Sequence, residues 1–326
     1  AVLNVSVTAT DSAGLVGSGS GTITTVAGPG FPDGSDQAPP GPPQRPTLLD
    51  AYPAAFRPPW KCAGVHYAVG PKAPPTKVVT ANMTATSGQI IDGFDFRNFQ
   101  LIIPAGTTNV VVINSKLNAR TVCVEARGTN LYIGYCIVDG VKLADFLIRY
   151  FGIGITIEYC WLKDAGGDIL SASEGGLIAL RNNLIENGGW VAGAHGDWLQ
   201  MGGTPRAAQV EILWNTVYQT NTPASTQGFM IECNSPQTIA SGRVANNTMV
   251  AVRTLPTPPN NANATNFLTG VTPDRVTGLV TIEDNYMDKS GSAGGFGRGL
   301  VSPKVIVRRN IDLLNGKTVN ANNSES

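Results

Sequence analysis

The sequence predicts an all-β fold, a parallel β-helix in which short strands stack coil upon coil. A unit of the form apolar-x-apolar-x-x-Asn-x-apolar recurs from residue 89 onward, and successive copies lie about 21 to 38 residues apart. A period of this size with one strand in each unit is typical of a solenoid. The units lack helical periodicity, which argues against leucine-rich and ankyrin-type repeats, and the longer steps indicate loops inserted on one face.

The sixth position of the repeat is the predicted corner of each coil. Asparagine suits a bend because it tolerates left-handed backbone geometry and bonds to neighbouring backbone. Identical residues on successive coils would stack into a ladder. We interpret Cys136 and Cys160, which take this position in early coils, as buried and reduced thiols. The predicted corner residues are Phe94, Ser115, Cys136, Cys160, Asn182, Asn215, Asn247, Asn285 and Asn310.

The chain is expected to have several segments. Residues 1–27 alternate with period two around a turn, which predicts either a β-hairpin or the last strands of a partial immunoglobulin-like module. Residues 28–59 are dense in proline and glycine and predict a stiff linker. Residues 60–88 could cover the N-terminal end of the β-helix, which is predicted over 89–313. The polar residues 314–326 predict a frayed tail.

The composition restricts the class of partner. The chain of 326 residues has 23 basic and 23 acidic side chains, so its formal net charge is zero. Such a chain has no long-range field that attracts nucleic acid or an anionic membrane, and we expect neither as a partner. The sequence contains no run of 18 apolar residues, so it predicts no membrane-spanning segment. The five cysteines have neither disulfide-framework nor metal-site spacing, so they predict no metal or cofactor.

The stretch 188–203 holds the candidate catalytic residues. It contains His195, one of two histidines, and Asp197 two residues later. Aligning the Asp-Ile-Leu at Asp168 with the Asp-Trp-Leu at Asp197 stacks the two acids on neighbouring coils, about 4.8 Å apart. Carboxylates this close repel, so the pKa of one should rise and the pair can divide into acid and base. The alternative interpretation is structural, with a hydrogen-bonded His–Asp pair and an aspartate that caps a turn.

Six further residues are candidates for substrate binding. Trp190 and Trp198 either stack inside the coils or present flat faces to sugar rings. If its strand is regular, Gln200 needs a bulge to reach the side that carries His195 and Asp197. An arginine could neutralise an acidic sugar, and the glutamates fall on nearby turns. The candidates are Trp190, Trp198, Gln200, Arg181, Glu174 and Glu232.

The coil repeat with its asparagine corner resembles the right-handed parallel β-helix (pectin lyase-like) superfamily over about residues 89–313. Its members include pectate and pectin lyases, polygalacturonases, alginate-modifying enzymes and phage tailspikes. The resemblance implies a groove along the helix in which a polysaccharide lies across several coils. It implies aspartates as acid and base in a hydrolase, or a basic residue, often with calcium, in a lyase. The Asn-Thr-Asp and Gly-His-Gly signatures of polygalacturonases do not occur in this sequence.

Two functions follow as expectations. The first is an extracellular polysaccharide depolymerase, a hydrolase or a lyase, with His195, Asp197 and Asp168 at its centre and with calcium only in the lyase case. The second is a non-catalytic glycan-binding adhesin or a fibre module on a virion or cell surface. For such a fibre, the resemblance to tailspikes implies a homotrimer.

Overall fold

The structure is a computed structural model in which the chain forms two compact units, residues 1–37 and 38–326. It describes residues 3–10, 16–23, 41–202, 207–220, 222–224, 226, 228–231, 238–251, 268–269, 276–288, 297–298 and 303–319.

The first unit contains a hairpin of two antiparallel strands, β1 (Leu3–Thr10) and β2 (Val16–Ile23). Leu3 pairs with Ile23 at one end of the two strands, and Thr10 pairs with Val16 at the other.

The second unit consists of three long parallel sheets, which we call sheets I, II and III, with strands numbered in chain order. Sheet I contains β4 (Met83–Thr84), β7 (Leu101–Ile103), β10 (Val122–Ala126), β13 (Phe146–Tyr150), β16 (Asp168–Ala172), β19 (Leu199–Met201), β22 (Phe229–Met230), β25 (Leu268–Thr269) and β28 (Gly297–Arg298). Sheet II contains β5 (Ile90–Asp92), β8 (Val111–Ile113), β11 (Thr129–Gly134), β14 (Ile153–Glu158), β17 (Gly176–Arg181), β20 (Ala207–Leu213), β23 (Thr238–Ala245), β26 (Val280–Glu283) and β29 (Val305–Arg308).

Sheet III has eleven strands and ends with an antiparallel pair. It contains β3 (Lys77–Val78), β6 (Phe94–Asp95), β9 (Lys116–Asn118), β12 (Ile137–Asp139), β15 (Trp161–Lys163), β18 (Leu184–Glu186), β21 (Thr216–Gln219), β24 (Thr248–Ala251), β27 (Tyr286–Met287), β30 (Asn310–Asp312) and β31 (Thr318–Val319).

The strand order confirms the all-β class and the stacked coils. Within the three sheets the strands from β3 to β30 pair in parallel with the strands three places along the chain, so the chain passes through sheets I, II and III once in every coil. This arrangement is consistent with a parallel β-helix. Among the described residues the only helical element is a 3₁₀ turn, Ala54–Phe56.

The core is made of columns of apolar side chains that run along the solenoid. In sheet I, Val124, Ile148 and Leu170 lie in register, and the column continues through Leu199 and Phe229. All five are fully buried. Burying a side chain of this size contributes roughly 1.5 to 3 kcal/mol, so the stacked columns supply stability that a single coil lacks.

The predicted ladder exists, with one correction. Asn183, not Asn182, is the fully buried ladder residue of its coil. Each ladder asparagine accepts a hydrogen bond at Oδ1 from the backbone N–H of the ladder residue one coil earlier, at 2.9 to 3.1 Å. Its Nδ2 donates to a sheet II carbonyl of the preceding coil, at 2.7 to 3.1 Å. The ladder therefore joins neighbouring coils through side chains as well as backbone.

The bend itself belongs to the residue before the ladder position, which corrects the assignment of left-handed geometry to the ladder asparagines. These preceding residues have positive φ. The bulky ones point their side chains out of the coil, whereas the ladder side chains point into it. They are Asn114, Tyr135, Tyr159, Asn182, Trp214, Asn246, Asp284 and Arg309.

The two ladder cysteines are buried and unbridged, as predicted. Cys160 Sγ accepts a weak hydrogen bond from the backbone N–H of Cys136 at 3.4 Å, the contact that an asparagine Oδ1 makes in later coils. Ser115 makes the same contact with the backbone N–H of Phe94 at 3.1 Å. Small side chains thus continue the ladder into the early coils.

Residues 41–70 differ from the expected linker and end cover. Leu49 and Tyr52 are buried against Val250 and Leu313, so this part of 28–59 is packed on the solenoid, while residues 28–40 lie outside the described residues. Ala63 packs against Tyr159 in a middle coil, so 60–70 does not cover the N-terminal end. Residues 77–84 do supply the first strands of sheets III and I.

The prediction of a frayed tail is wrong for residues 314–319, which belong to the folded unit. Residues 318–319 pair antiparallel with β30, and Val319 is fully buried. Residues 320–326 lie outside the described residues.

Candidate functional site

The loop 187–196 joins sheet III to sheet I and carries two of the candidate residues. Its base is closed by glycines: a Cβ on Gly196 would lie 2.7 Å from backbone atoms of Gly188 and Gly189. Only residues without a side chain allow this approach. The cluster of glycines in the sequence therefore closes the loop that presents Trp190 and His195.

One buried side chain, Gln219, holds the base of this loop. Its Oε1 accepts hydrogen bonds from the backbone N–H of Gly188 and from Trp198 Nε1, both at 3.1 Å. Its Nε2 donates to the Gly188 carbonyl at 2.9 Å and to Thr222 Oγ1 at 3.0 Å. All polar positions of the amide are used, which fixes the start of the loop relative to β19 and β21.

Asp168 and Asp197 lie next to each other on neighbouring coils. The backbone N–H of Asp197 donates to Asp168 Oδ1 at 2.9 Å, and the backbone N–H of Ile169 donates to the Asp197 carbonyl at 2.8 Å. Burial raises the pKa of Asp168 to about 8; the charge of Asp197 adds to the rise, and the hydrogen bond from the Asp197 backbone opposes it. Asp168 therefore keeps its proton at neutral pH.

The two acids and His195 do not share a solvent-filled cleft, which corrects the predicted arrangement. Asp197 is 0% exposed and Asp168 is 4% exposed, whereas His195 is exposed. Among the described residues, no hydrogen bond involves the His195 side chain. A substrate on the surface can reach the imidazole but not the carboxyl groups in this conformation.

The two candidate tryptophans occupy different environments. Trp198 is fully buried and packs edge-on against Phe229, with 5.3 Å between the ring centroids. Trp190 is half-buried at the corner between sheets III and I, where its Nε1 donates to Asp164 at 2.9 Å. The ammonium group of Lys142 lies 3.9 Å from the centroid of its ring. Trp190 is thus the candidate that can meet a ligand, and Trp198 is a core residue.

Arg181 and Glu174 lie away from His195. Arg181 is on the outer face of sheet II, where it forms ion pairs with Glu158 at 2.7 Å and with Glu211. Glu174 is half-buried in the turn between β16 and β17, at the far end of the strand from Asp168. Glu232 lies outside the described residues.

Gln200 lies on a strip of polar residues along the outer face of sheet I. It is half-buried between the buried Leu199 and Met201, and it pairs with Ser171 of the neighbouring strand. Ser171 pairs in turn with Arg149, and Arg149 pairs with Glu125. The strip of Glu125, Arg149, Ser171 and Gln200 thus crosses four coils in register.

Arg149 has two half-buried aromatic rings beside it that the sequence did not single out. Its Nε donates to Glu125 at 2.6 Å. Its guanidinium carbon lies 5.8 Å from the Phe146 ring centroid and 5.6 Å from that of Phe151. Arg127 lies over the same Phe151 ring at 5.1 Å. A strict period-two assignment of Phe146-Leu-Ile-Arg-Tyr-Phe151 places Arg149 and Phe151 on one face but Phe146 on the other, so the pattern alone does not identify this group.

Two features are absent from the described residues. No group of three histidine, cysteine, aspartate or glutamate side chains is arranged to hold a metal ion. No helix in this part of the chain has the length and apolar character needed to cross a membrane.

Comparison with known proteins gives no relative. No family model matches the chain, and neither the curated proteins nor the solved structures include a match.

Proposed function

We propose that the solenoid recognises a polysaccharide along the outer face of sheet I. The observation that supports this best is the group formed by Arg149, Phe146 and Phe151, which continues in register into Ser171 and Gln200. Aromatic rings pack against the apolar faces of sugars, and guanidinium, hydroxyl and amide groups bond their hydroxyls. The loop 187–196 adds Trp190 and His195 near the start of the same strands.

The spacing of the strip suits an extended polymer. Neighbouring strands lie about 4.8 Å apart, so residues on four successive coils form a row of roughly 14 Å. Within this row Arg149 is paired with Glu125, and Arg127 beside it contacts the same carboxylate at 3.7 Å. The surface therefore carries a small positive charge, which favours neutral or weakly acidic, hydroxyl-rich ligands. The zero net charge of the whole chain agrees with this preference.

A non-catalytic glycan-binding protein is the function that the geometry favours. Asp168 and Asp197, the acids proposed for catalysis, are inaccessible to a surface ligand. Within this proposal the chain is a right-handed, pectin lyase-like β-helix that acts as an adhesin or fibre module outside the cell or on a virion. A homotrimer remains part of the proposal for a tailspike-like fibre.

Depolymerisation is the second candidate, and one observation favours it. Asp168 keeps its proton at neutral pH, which is the state that a general acid needs. The enzyme would then have to move the loop 187–196 so that the acid pair meets the glycosidic oxygen. His195 is already exposed at this loop.

The proposal is tested with a panel of neutral and acidic bacterial exopolysaccharides. We expect one of them to bind the full chain and to lose at least ten-fold in affinity with Phe151→Ala, measured by biolayer interferometry. Arg243→Ala is the matched control, because this half-exposed arginine lies on sheet II and pairs with Glu283. Equal loss in both variants, or no binding in the whole panel, would refute recognition on sheet I.

The same samples separate binding from cleavage. Size-exclusion chromatography of the bound polysaccharide should show unchanged chain length for a binding protein. Shortening that disappears with Asp168→Asn and His195→Ala would establish the depolymerase instead.

A further inference from the structure

Residues 44–69 form a closed loop on the outside of sheet III, which we call the strap loop. Its two ends meet: Gln44 Nε2 donates to the Val69 carbonyl at 2.7 Å, and the backbone N–H of Arg45 donates to the Gly64 carbonyl at 2.7 Å. Inside the loop, the backbone N–H of Cys62 donates to His66 Nδ1 at 2.8 Å. The strap loop is thus held closed by hydrogen bonds within itself, independently of its contacts with the coils.

The strap loop is attached to the solenoid by side chains. Tyr52 donates its hydroxyl hydrogen to Asp288 at 2.6 Å, and Tyr67 donates to Asn182 at 3.2 Å. Arg45 forms an ion pair with Glu186. These anchors reach coils that are separated by more than one hundred residues of sequence.

An aromatic face of the solenoid lies beneath the loop. Trp60 packs edge-on against Trp214 and Tyr286, with ring centroids 5.5 and 5.1 Å away. Leu49 and Val65 join Tyr218 in an apolar cluster that is separate from the main core. The strap loop therefore has its own hydrophobic contacts, and its side chains are not part of the inward-facing columns of the main core.

Few backbone hydrogen bonds join the loop to the coils. Among the described residues, the nearest backbone bond between this segment and the solenoid runs from the N–H of Gly70 to the carbonyl of Tyr159, just after the loop closes. The coils, in contrast, are joined to each other by continuous ladders in three sheets. Releasing the loop breaks side-chain contacts but leaves those ladders intact, so it should cost less than unfolding a coil.

We propose that the strap loop is a lid that opens as one unit, hinged at Gly70, and uncovers the aromatic face of Trp214, Tyr218 and Tyr286 while the solenoid stays folded. Gly70 suits a hinge because it has positive φ and no side chain to hinder rotation. This inference concerns a different face from the proposed glycan strip and does not depend on it.

The reactivity of the Cys62 thiol can be used to detect the opening of the lid. Its thiol lies on the inner side of the loop, 1% exposed and 3.3 Å from Thr248 Oγ1. Cys123, Cys136 and Cys160 are also buried, but in the main core, which opens only when coils unfold. The four thiols therefore distinguish release of the lid from unfolding of the solenoid.

The test is native-state alkylation of the full chain with iodoacetamide, followed by mass spectrometry of the separate cysteine peptides. We expect Cys62 to react at least ten-fold faster than Cys123, Cys136 and Cys160. Tyr52→Phe removes the hydroxyl that bonds Asp288 and should raise the Cys62 rate about ten-fold without changing the three core rates. Circular dichroism checks that the variant remains folded.

Tyr132→Phe is the matched control, since this tyrosine hydroxyl contacts Glu158 on sheet II, outside the strap loop. It should leave the Cys62 rate unchanged. A single common rate for the four cysteines in the wild-type chain would overturn the lid. So would a Tyr52→Phe variant that leaves Cys62 unchanged or accelerates all four thiols equally.

Discussion

The backbone N–H of Asp197 donates a hydrogen bond to Oδ1 of Asp168 at 2.9 Å, across two neighbouring coils. The bond lies in the buried end of sheet I, directly below the loop that carries His195. Asp168 stays protonated there because its burial and the nearby carboxylate both disfavour a second charge. The pair is thus a pH-sensitive part of the coil stack.

Asp168→Asn should remove a pH dependence of stability. The pKa of Asp168 is about 8 in the folded chain, above its ordinary value, so the folded state holds the proton more tightly than the unfolded state. Stability is therefore greatest below pH 4 for this group and falls as the pH rises to about 8, by roughly 1.4 kcal/mol for each unit of pKa difference. Asparagine keeps the Oδ1 acceptor without the charge, so the variant should gain stability at pH 8.

The measurement is urea unfolding at several pH values between 4 and 9, followed by tryptophan fluorescence. Asp145→Asn is the control, because this exposed aspartate lies one coil earlier at the same corner. Parallel stability profiles for wild type and Asp168→Asn would contradict a raised pKa at Asp168.

Asn247→Ala should be far more damaging than a change at the preceding Asn246. Asn247 is fully buried, and its amide bonds Asn285 Oδ1 at 2.9 Å and the Ile212 carbonyl at 2.7 Å while accepting from Asn215. Alanine leaves buried partners unsatisfied, so we expect a loss of about 3 kcal/mol or more. Denaturant midpoints of the two variants provide the comparison.

Asn246→Gly is the matched variant of this pair. Asn246 has φ 59°, a conformation that glycine adopts at no steric cost, so the change should stay within about 0.5 kcal/mol of wild type. A larger loss for Asn246→Gly than for Asn247→Ala would reverse the assignment of bend and ladder positions.

Gln219→Ala should loosen the loop 187–196. The amide satisfies both backbone groups of Gly188 and the Trp198 indole, all of which would be left buried without this partner. We expect a loss of roughly 2 to 3 kcal/mol and faster amide hydrogen exchange across the loop. Gln200→Ala, on the outer strip, should change stability by less than about 0.5 kcal/mol. Unchanged exchange in Gln219→Ala would mean that the glycines alone hold the loop.

The fold was predictable because the solenoid imposes its period on the sequence. The coil repeat identified the ladder, and its one misassigned ladder asparagine has a clear cause: Asn182 and Asn183 are adjacent and both fit the pattern. The choice between them depends on where β17 ends, at Arg181, and the hydrogen bonds then place Asn183 inside. A pattern of residue types does not contain that backbone register.

The candidate site was less predictable because burial at a corner does not follow the period of a strand. Asp197, Trp198 and Leu199 are consecutive and all fully buried, since the corner between sheets III and I is filled by loop 187–196 and Gln219. The strap loop was missed for a related reason. Its proline-rich sequence has no periodicity. Its position depends on aromatic side chains that point outward from the bends, such as Trp214.

Cys160→Ser should be tolerated, whereas Cys160→Ala should not. The Cys160 thiol accepts from the backbone N–H of Cys136 and donates to the Glu158 carbonyl at 3.2 Å. Ser115 makes the same two kinds of contact with its hydroxyl, accepting from Phe94 and donating to the Ile113 carbonyl at 2.8 Å. A serine at 160 therefore keeps both bonds, and we expect a change within about 1 kcal/mol. Alanine loses both and leaves a small cavity, which should cost about 2 kcal/mol. Denaturant midpoints under reducing conditions compare the two, and equal losses would show that the ladder position needs volume rather than a hydrogen-bonding side chain.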